Sequence, residues 1–364
     1  MWMRNVFISL LAGAVCLQAA VADDEVLSLL KTGREASSIG KYDDAERYHR
    51  LAVDAARRSG EVSRIAEAVG DLGGILLQRG QYDESKRLCL ESLGMFRRAG
   101  PSRYMLVVLN NLSTLSSLRR DFSGAEKYLK DALDLLERLD RRDPYRVRLL
   151  NNLGVLYYSM DDRASAERTL KKNIAFIEKE LGQDRPELVT SLTNLGGLYV
   201  LRKKYNDAEA LFERALHLLA TSVHANHLEV AGVLDNFGLL DLVRNHLHES
   251  EKALRRAYAI RLEVLGPKHP HVGRSAAHLA STLVAAGKYA AAESFYNEAL
   301  AIYESAPGGD VLEVTTSLEG LARIFRKTNR EGQAQQLQAK ADSIRFEVTH
   351  TVRADQLQKE LQKQ

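Results

Sequence analysis

A short phrase returns through this chain at an almost constant interval, and that regularity restricts the possible folds more than any single residue does. Gly40-Lys41-Tyr42-Asp43-Asp44-Ala45-Glu46 is its first copy. Gly80-Gln81-Tyr82-Asp83-Glu84-Ser85, Arg120-Asp121-Phe122-Ser123-Gly124-Ala125-Glu126, Tyr205-Asn206-Asp207-Ala208-Glu209 and Gly287-Lys288-Tyr289-Ala290-Ala291-Ala292-Glu293 follow. Looser copies occupy Asp162–Glu167, His246–Glu251 and Arg330–Gln335. The small residue that anchors each copy falls at 45, 85, 125, 166, 208, 250, 292 and 334, in steps of 40 to 42 residues. A period of this length marks stacked supersecondary units, each unable to bury its apolar face alone.

A second phrase lies about twelve residues before each anchor. Its best copies are Leu150-Asn151-Asn152-Leu153-Gly154-Val155-Leu156-Tyr157 and Leu192-Thr193-Asn194-Leu195-Gly196-Gly197-Leu198-Tyr199. Apolar residues at i, i+3 and i+7, with a small residue at i+4, describe one buried helical face that a neighbouring helix can approach closely. Apolar residues continue at helical spacing after each anchor, as in Ala208, Phe212, Ala215 and Leu218. Each unit therefore reads as two antiparallel helices, A and B, joined by a short turn. Proline placement agrees. Only six occur, at 101, 144, 186, 267, 270 and 307, all between one unit's B helix and the next unit's A helix. There the missing amide hydrogen costs nothing, whereas inside a helix proline would break it. Gly182 and Gly266, just before such prolines, are expected to take the left-handed conformation that closes a helix.

These phrases resemble the tetratricopeptide repeat (TPR), with Leu-x-x-Leu-Gly-x-x-Tyr in helix A and Gly-x-Tyr-x-x-Ala opening helix B. The period near 42, and junctions such as Leu181-Gly182-Gln183-Asp184-Arg185-Pro186 and Leu265-Gly266-Pro267-Lys268-His269-Pro270, are similar to the kinesin light chain variant. The resemblance implies an all-α, right-handed α-solenoid of about eight TPR-like helix hairpins. It places the solenoid over residues 23–345, with a polar helical tail over 346–364.

The first 22 residues read differently. Arg4 precedes an apolar run over Val6–Leu17, and Ala20-Val21-Ala22 offers small residues ahead of Asp23-Asp24-Glu25. That order is a secretory signal peptide cut after Ala22, because twelve apolar residues fall short of the roughly 20 a spanning helix needs. Gly13-Ala14-Val15 is a poor lipidation box before Cys16. The mature chain would keep one cysteine, Cys89, so an internal disulfide is excluded and stability must come from packing. Cys89 stands in the slot that Phe212 and Leu129 fill elsewhere, which makes it a packing residue. With 51 Lys and Arg against 48 Asp and Glu, charge gives no reason to expect nucleic acid as a partner.

The candidate site is the face of the A helices. Asn111, Asn152, Asn194 and Asn236 recur at one position of successive units, with Asn110 and Asn151 beside the first two. Stacking should align them in a ladder, and a side-chain amide offers both a donor and an acceptor to an extended ligand's backbone. By resemblance, such asparagines hold a peptide in the concave groove. The same residues could instead link repeat to repeat. Tyr158 and Arg148 complete the expected groove set. Asp71 and Gly74 stand where a clamp for a ligand's terminal carboxylate would need basic residues, so a chaperone-tail adaptor is disfavoured.

Eight of the ten histidines fall between His217 and His278. The junction set His224, His227, His269 and His271 defines an alternative, a metal-binding envelope protein, while His246 and His248 belong to an A–B turn at the other edge. A further alternative is a structural assembly subunit with no peptide groove. Basic residues at the ends of A helices (Arg79, Arg119-Arg120, Arg202-Lys203-Lys204, Arg326-Lys327) read as partners of helix dipoles. No catalytic or phosphate-binding motif appears. The sequence thus predicts a non-enzymatic, exported scaffold or adaptor, placed in the periplasm of a bacterial envelope. Its partner would be a protein or an extended peptide segment, with no cofactor, no metal, no nucleic acid and no membrane span in the mature chain.

Overall fold

In the computed structural model, residues 23–37, 40–221, 227–305 and 311–361 are described, with side chains as far as residue 347. The expected signal peptide, His224 and Pro307 lie outside them. The described residues form helices and no strands, arranged as the α-solenoid the repeat implied. Helix α1 covers residues 23–37. It is followed by α2 (Tyr42–Ser59), α3 (Val62–Gln78), α4 (Tyr82–Ala99), α5 (Arg103–Leu118), α6 (Phe122–Leu139), α7 (Tyr145–Ser159) and α8 (Arg163–Phe176). The second half holds α9 (Glu187–Leu201), α10 (Tyr205–Thr221), α11 (His227–Val243), α12 (Leu247–Leu265), α13 (Pro270–Ala285), α14 (Tyr289–Ser305), α15 (Val311–Lys327) and α16 (Glu331–Leu361). Odd-numbered helices are the A helices and even-numbered ones the B helices. The chain divides into two compact units, Met1–Leu156 and Tyr157–Gln364. None of the described helices is long and apolar enough to cross a membrane.

The anchors do what their recurrence required. Ala45, Ser85, Ala125, Ala166, Ala208, Ser250, Ala292 and Ala334 are all completely buried. Where serine replaces alanine, its hydroxyl is satisfied locally: Ser85 Oγ donates to the Gly73 carbonyl at 2.7 Å and Ser250 Oγ to that of Gly238 at 2.8 Å. A buried hydroxyl without such a bond would cost about 1–3 kcal/mol. The small residue of the A-helix phrase faces the large residue sixteen positions later. A Cβ on Gly73 would lie 2.7 Å from Cys89 Sγ, one on Gly196 2.4 Å from the Phe212 ring, and one on Gly238 2.6 Å from Leu254. Cys89 is a buried packing residue as expected, its thiol pushed up to about 12 by burial.

The A–B turn needs one residue at positive φ in every hairpin. Gly40, Gly80, Arg120, Asp161, Lys203, Asn245, Gly287 and Asn329 supply it, with φ between 56° and 76°. Junction geometry departs from expectation in one respect. Gly182 and Gly266 have positive φ, 120° and 80°, but ψ of 163° and 165°, so they leave the helix in the extended glycine region and not the left-handed helical one. Pro186 stands at the N-cap of α9 and Pro270 opens α13. The B helix α8 also ends in a π-helical turn, Ile177–Leu181.

Acidic residues beside the anchors, glutamate directly after six of the eight, have a purpose beyond the helix dipole. In unit 1, Arg79 at the end of α3 pairs with Glu46, and Arg119 after α5 pairs with Asp83. In unit 2, Arg202 pairs with Glu167, Arg244 with Glu209 at 2.8 Å, Lys288 with Glu251 at 2.7 Å and Arg330 with Glu293 at 2.6 Å. Each bridge joins the end of one A helix to the B helix of the unit before it.

In unit 1 His49 takes the large-residue slot of α2, packed against Gly33 and 1% exposed. Burial, and then the Arg34 charge, push its pKa down to about 4 from an ordinary value near 6.5. The folded state therefore binds fewer protons than the unfolded chain. The stability this site contributes is complete above pH 6.5 and is lost as pH falls through 4, by about 3 kcal/mol at most. The protection of α2 amides against hydrogen exchange, relative to the unfolded rate at each pH, should fall over that window, and His49→Leu should remove the fall.

Candidate functional site

The asparagine register of the A helices runs through Asp71, Asn111, Asn152, Asn194, Asn236 and His278 at steps of 40 to 42 residues. Two members that sequence reasoning passed over, Asp71 and His278, are legible by counting on from the asparagines. Asp71, Asn111, Asn152, Asn236 and His278 each lean on the A helix before them. In unit 1, Asn152 Nδ2 donates to Asn110 Oδ1 at 2.7 Å, and Asn111 Nδ2 sits 3.0 Å from where a Cβ on Gly74 would be. In unit 2, Asn236 Oδ1 lies 3.3 Å from the Cβ position of Gly197, and its Nδ2 donates to the Gly232 carbonyl at 2.9 Å.

The predicted site residues therefore fall into two groups. Asn110 and Asn151 are buried, each 8% exposed, and lie beneath the face they were expected to line. Asn111, Asn152, Asn194 and Asn236 are half-buried, and Tyr158 is exposed. Arg148 is exposed as well, its guanidinium 5.5 Å from the centre of the Tyr145 ring. Asn152→Ala should cost about 1 kcal/mol through loss of its bond to Asn110, measured as a shift in urea midpoint.

In unit 2 the face opens into a cavity of about 370 Å³. Asn194 and Asn236 both line it, with Thr190 and Thr193 of α9, Glu229 and Asp235 of α11, Arg274 and His278 of α13, and Arg261 of α12. An ionic cluster that the sequence did not announce forms its floor. Asp235 Oδ2 accepts from Arg261 Nη1 at 2.9 Å and lies 3.1 Å from His278 Nδ1; Arg261 also bonds Ser275. Burial alone would raise the Asp235 pKa, but His278 and Arg261 beside it hold it well below the usual carboxylate range. Its second oxygen, Oδ1, has no hydrogen-bond partner among the described residues. In unit 1 the ladder carboxylate is answered instead: Arg34 bonds Asp71 Oδ2 at 2.8 Å and Glu67 at 2.7 Å, while burial pushes Asp71 up to about 6 against that opposing charge.

Of the junction histidines, His269 serves the fold: its Nδ1 accepts from the His271 amide at 3.1 Å and caps α13. In the A–B turn, His246 Nδ1 lies 3.5 Å from Asp241. Among the described residues no three His, Cys, Asp or Glu side chains converge as a metal site would require. On the B-helix side of unit 2 a larger hollow of about 550 Å³ between α8 and α10 is bordered by an ion pair, Arg214 with Glu178 at 2.7 Å.

A tetratricopeptide repeat model matches residues 64–138, 145–221, 229–305 and 276–344, well over half of the chain. The chain belongs to the tetratricopeptide repeat family. TPR proteins are generally non-enzymatic scaffolds for protein partners, and this chain has that scaffold. No curated protein sequence matches it. Among solved structures, a Rap protein complexed with Competence and Sporulation Factor is 13% identical, covers 90% of this chain and 99% of its own, and superposes with a TM-score of 0.59. A TPR protein from Parabacteroides merdae is 19% identical over 79% of this chain and 96% of its own, with a TM-score of 0.51. The repeats of a putative kinesin light chain from Podosopora anserina are 20% identical over 57% of this chain and 98% of theirs, with a TM-score of 0.46. At these identities the likeness concerns the TPR fold.

Proposed function

We propose that this protein is an exported, non-enzymatic TPR scaffold that holds an extended peptide or protein segment against its A helices, in the periplasm of a bacterial envelope. The observation that carries the binding reading is the unit 2 cavity, where Asn194 and Asn236 stand on successive A helices as walls of one 370 Å³ space. Hollows of a few hundred Å³ with a small number of placed polar groups are the usual form of ligand sites. The similar Rap protein was solved complexed with Competence and Sporulation Factor, which supports a scaffold of this fold holding a partner. Export rests on the leader-like order of residues 1–22 and on the lone cysteine left after it. Nucleic acid is not part of the proposal, because A-helix-end cations such as Arg79, Arg119, Arg202 and Arg244 are spent on acids of the preceding units.

Asn194→Ala combined with Asn236→Ala should weaken the partner segment by about ten- to hundredfold with helical content and melting unchanged. Equal affinity of the double variant and the parent in a fluorescence titration would rule the groove out.

A further inference from the structure

The unit 2 cavity holds four permanent charges, and two of them have no partner. Asp235 and Arg261 neutralise one another on its floor at 2.9 Å. Glu229 and Arg274, also on its walls, make no ion pair with any described residue. Burial, and then the nearby Glu187 charge, raise the Glu229 pKa, and among the described residues no cation pairs with Glu229. Asp235 adds an independent demand. Its side chain is 5% exposed, and Oδ1 is a buried, ionised oxygen with no donor among the described residues. Burying a charged acceptor unpaired is costly, and a cation on the cavity side, without touching the enclosed Oδ1, offsets part of that cost.

We infer that this cavity takes a peptide segment carrying one basic and one acidic side chain, the basic group drawn to Glu229 and to the unpaired charge of Asp235 behind it, the acidic group to Arg274. The inference rests on the groove reading above and deepens it. A purely acidic segment would meet Glu229 and Asp235 with like charge. A purely basic one would leave the Arg274 guanidinium, five donors in a planar fork suited to carboxylate, without an acceptor. Asn194 and Asn236 line the same cavity as neutral groups able to hold the segment's backbone.

The test uses the full chain and a positional-scanning library of hexapeptides, N-acetylated and C-amidated so that only side chains carry charge. Retained peptides should be enriched about tenfold in sequences pairing Lys or Arg with Asp or Glu within three residues. Glu229→Gln should erase the basic preference alone, and Arg274→Gln the acidic preference alone. Both side chains are partly exposed, and unchanged circular dichroism melting verifies the fold of each variant. Retention that depends on Asn194 and Asn236 but shows no charge preference would overturn this inference and leave the groove standing. A charge preference that survives both variants would also overturn it. Retention independent of the asparagines would overturn the two together.

Discussion

Phe212→Ala is expected to destabilise the second unit by about 3–5 kcal/mol, measured by urea denaturation followed by far-ultraviolet circular dichroism. The ring is completely buried, and it fills the slot that the absent side chain of Gly196 leaves in the facing helix. A Cβ on Gly196 would stand 2.4 Å from one ring carbon and 2.9 Å from two others, so Phe212 and Gly196 are one packing decision written twice in the sequence. Gly196→Ala alone should lose stability through overpacking of about 1–3 kcal/mol, despite alanine's helix preference of about 1 kcal/mol over glycine. In the Phe212→Ala background the same change should become stabilising, since the new methyl enters vacated space. A double-mutant cycle reads that reversal as a coupling between contacting residues. Stabilisation by Gly196→Ala in both backgrounds would show that the ring does not dictate the glycine.

Arg261→Met should be nearly as damaging, at about 3–5 kcal/mol. It removes the guanidinium that, with His278, compensates an aspartate deep in unit 2. Combining it with Asp235→Leu should recover most of the loss, because two apolar residues of similar size need no compensation. The pH dependence follows from the same pair. Asp235 is held well below the usual carboxylate range when folded. The stability it contributes is therefore complete above the ordinary aspartate value near 4 and is lost as pH falls through the lower folded value. Acid denaturation of Asp235→Leu/Arg261→Met should lack that component. A single Arg261→Met variant as stable as the parent would mean the cluster contributes nothing to the fold.

The fold was largely legible because it repeats. A single Gly-x-Tyr-x-x-Ala is weak, but eight anchors in phase predicted eight hairpins, and all eight anchors are buried. Proline positions marked the junctions for a local reason that holds in the folded chain. What sequence reasoning missed is what joins one unit to another. The pairing of Arg79 with Glu46, or Arg202 with Glu167, spans 33 to 35 residues, whereas the sequence shows those arginines only as partners of helix dipoles. The asparagine ladder was counted only where asparagine stood, so Asp71 and His278 were passed over although the period reaches both. Arg261 could not be found by that count at all, since it reaches the cavity floor from a B helix. The π turn at Ile177–Leu181 has no signature in the repeat.

The central claim is that the A-helix face of unit 2 receives the partner. It is tested most directly by placing a photo-crosslinking amino acid at Asn194 and, in a second variant, at Lys172 on the exposed side of the B helix α8, then irradiating the producing cells. Adducts should form from position 194 and not from 172, and Asn236→Ala should suppress them. Adducts from 172 alone, or adducts at 194 indifferent to Asn236→Ala, would contradict the account.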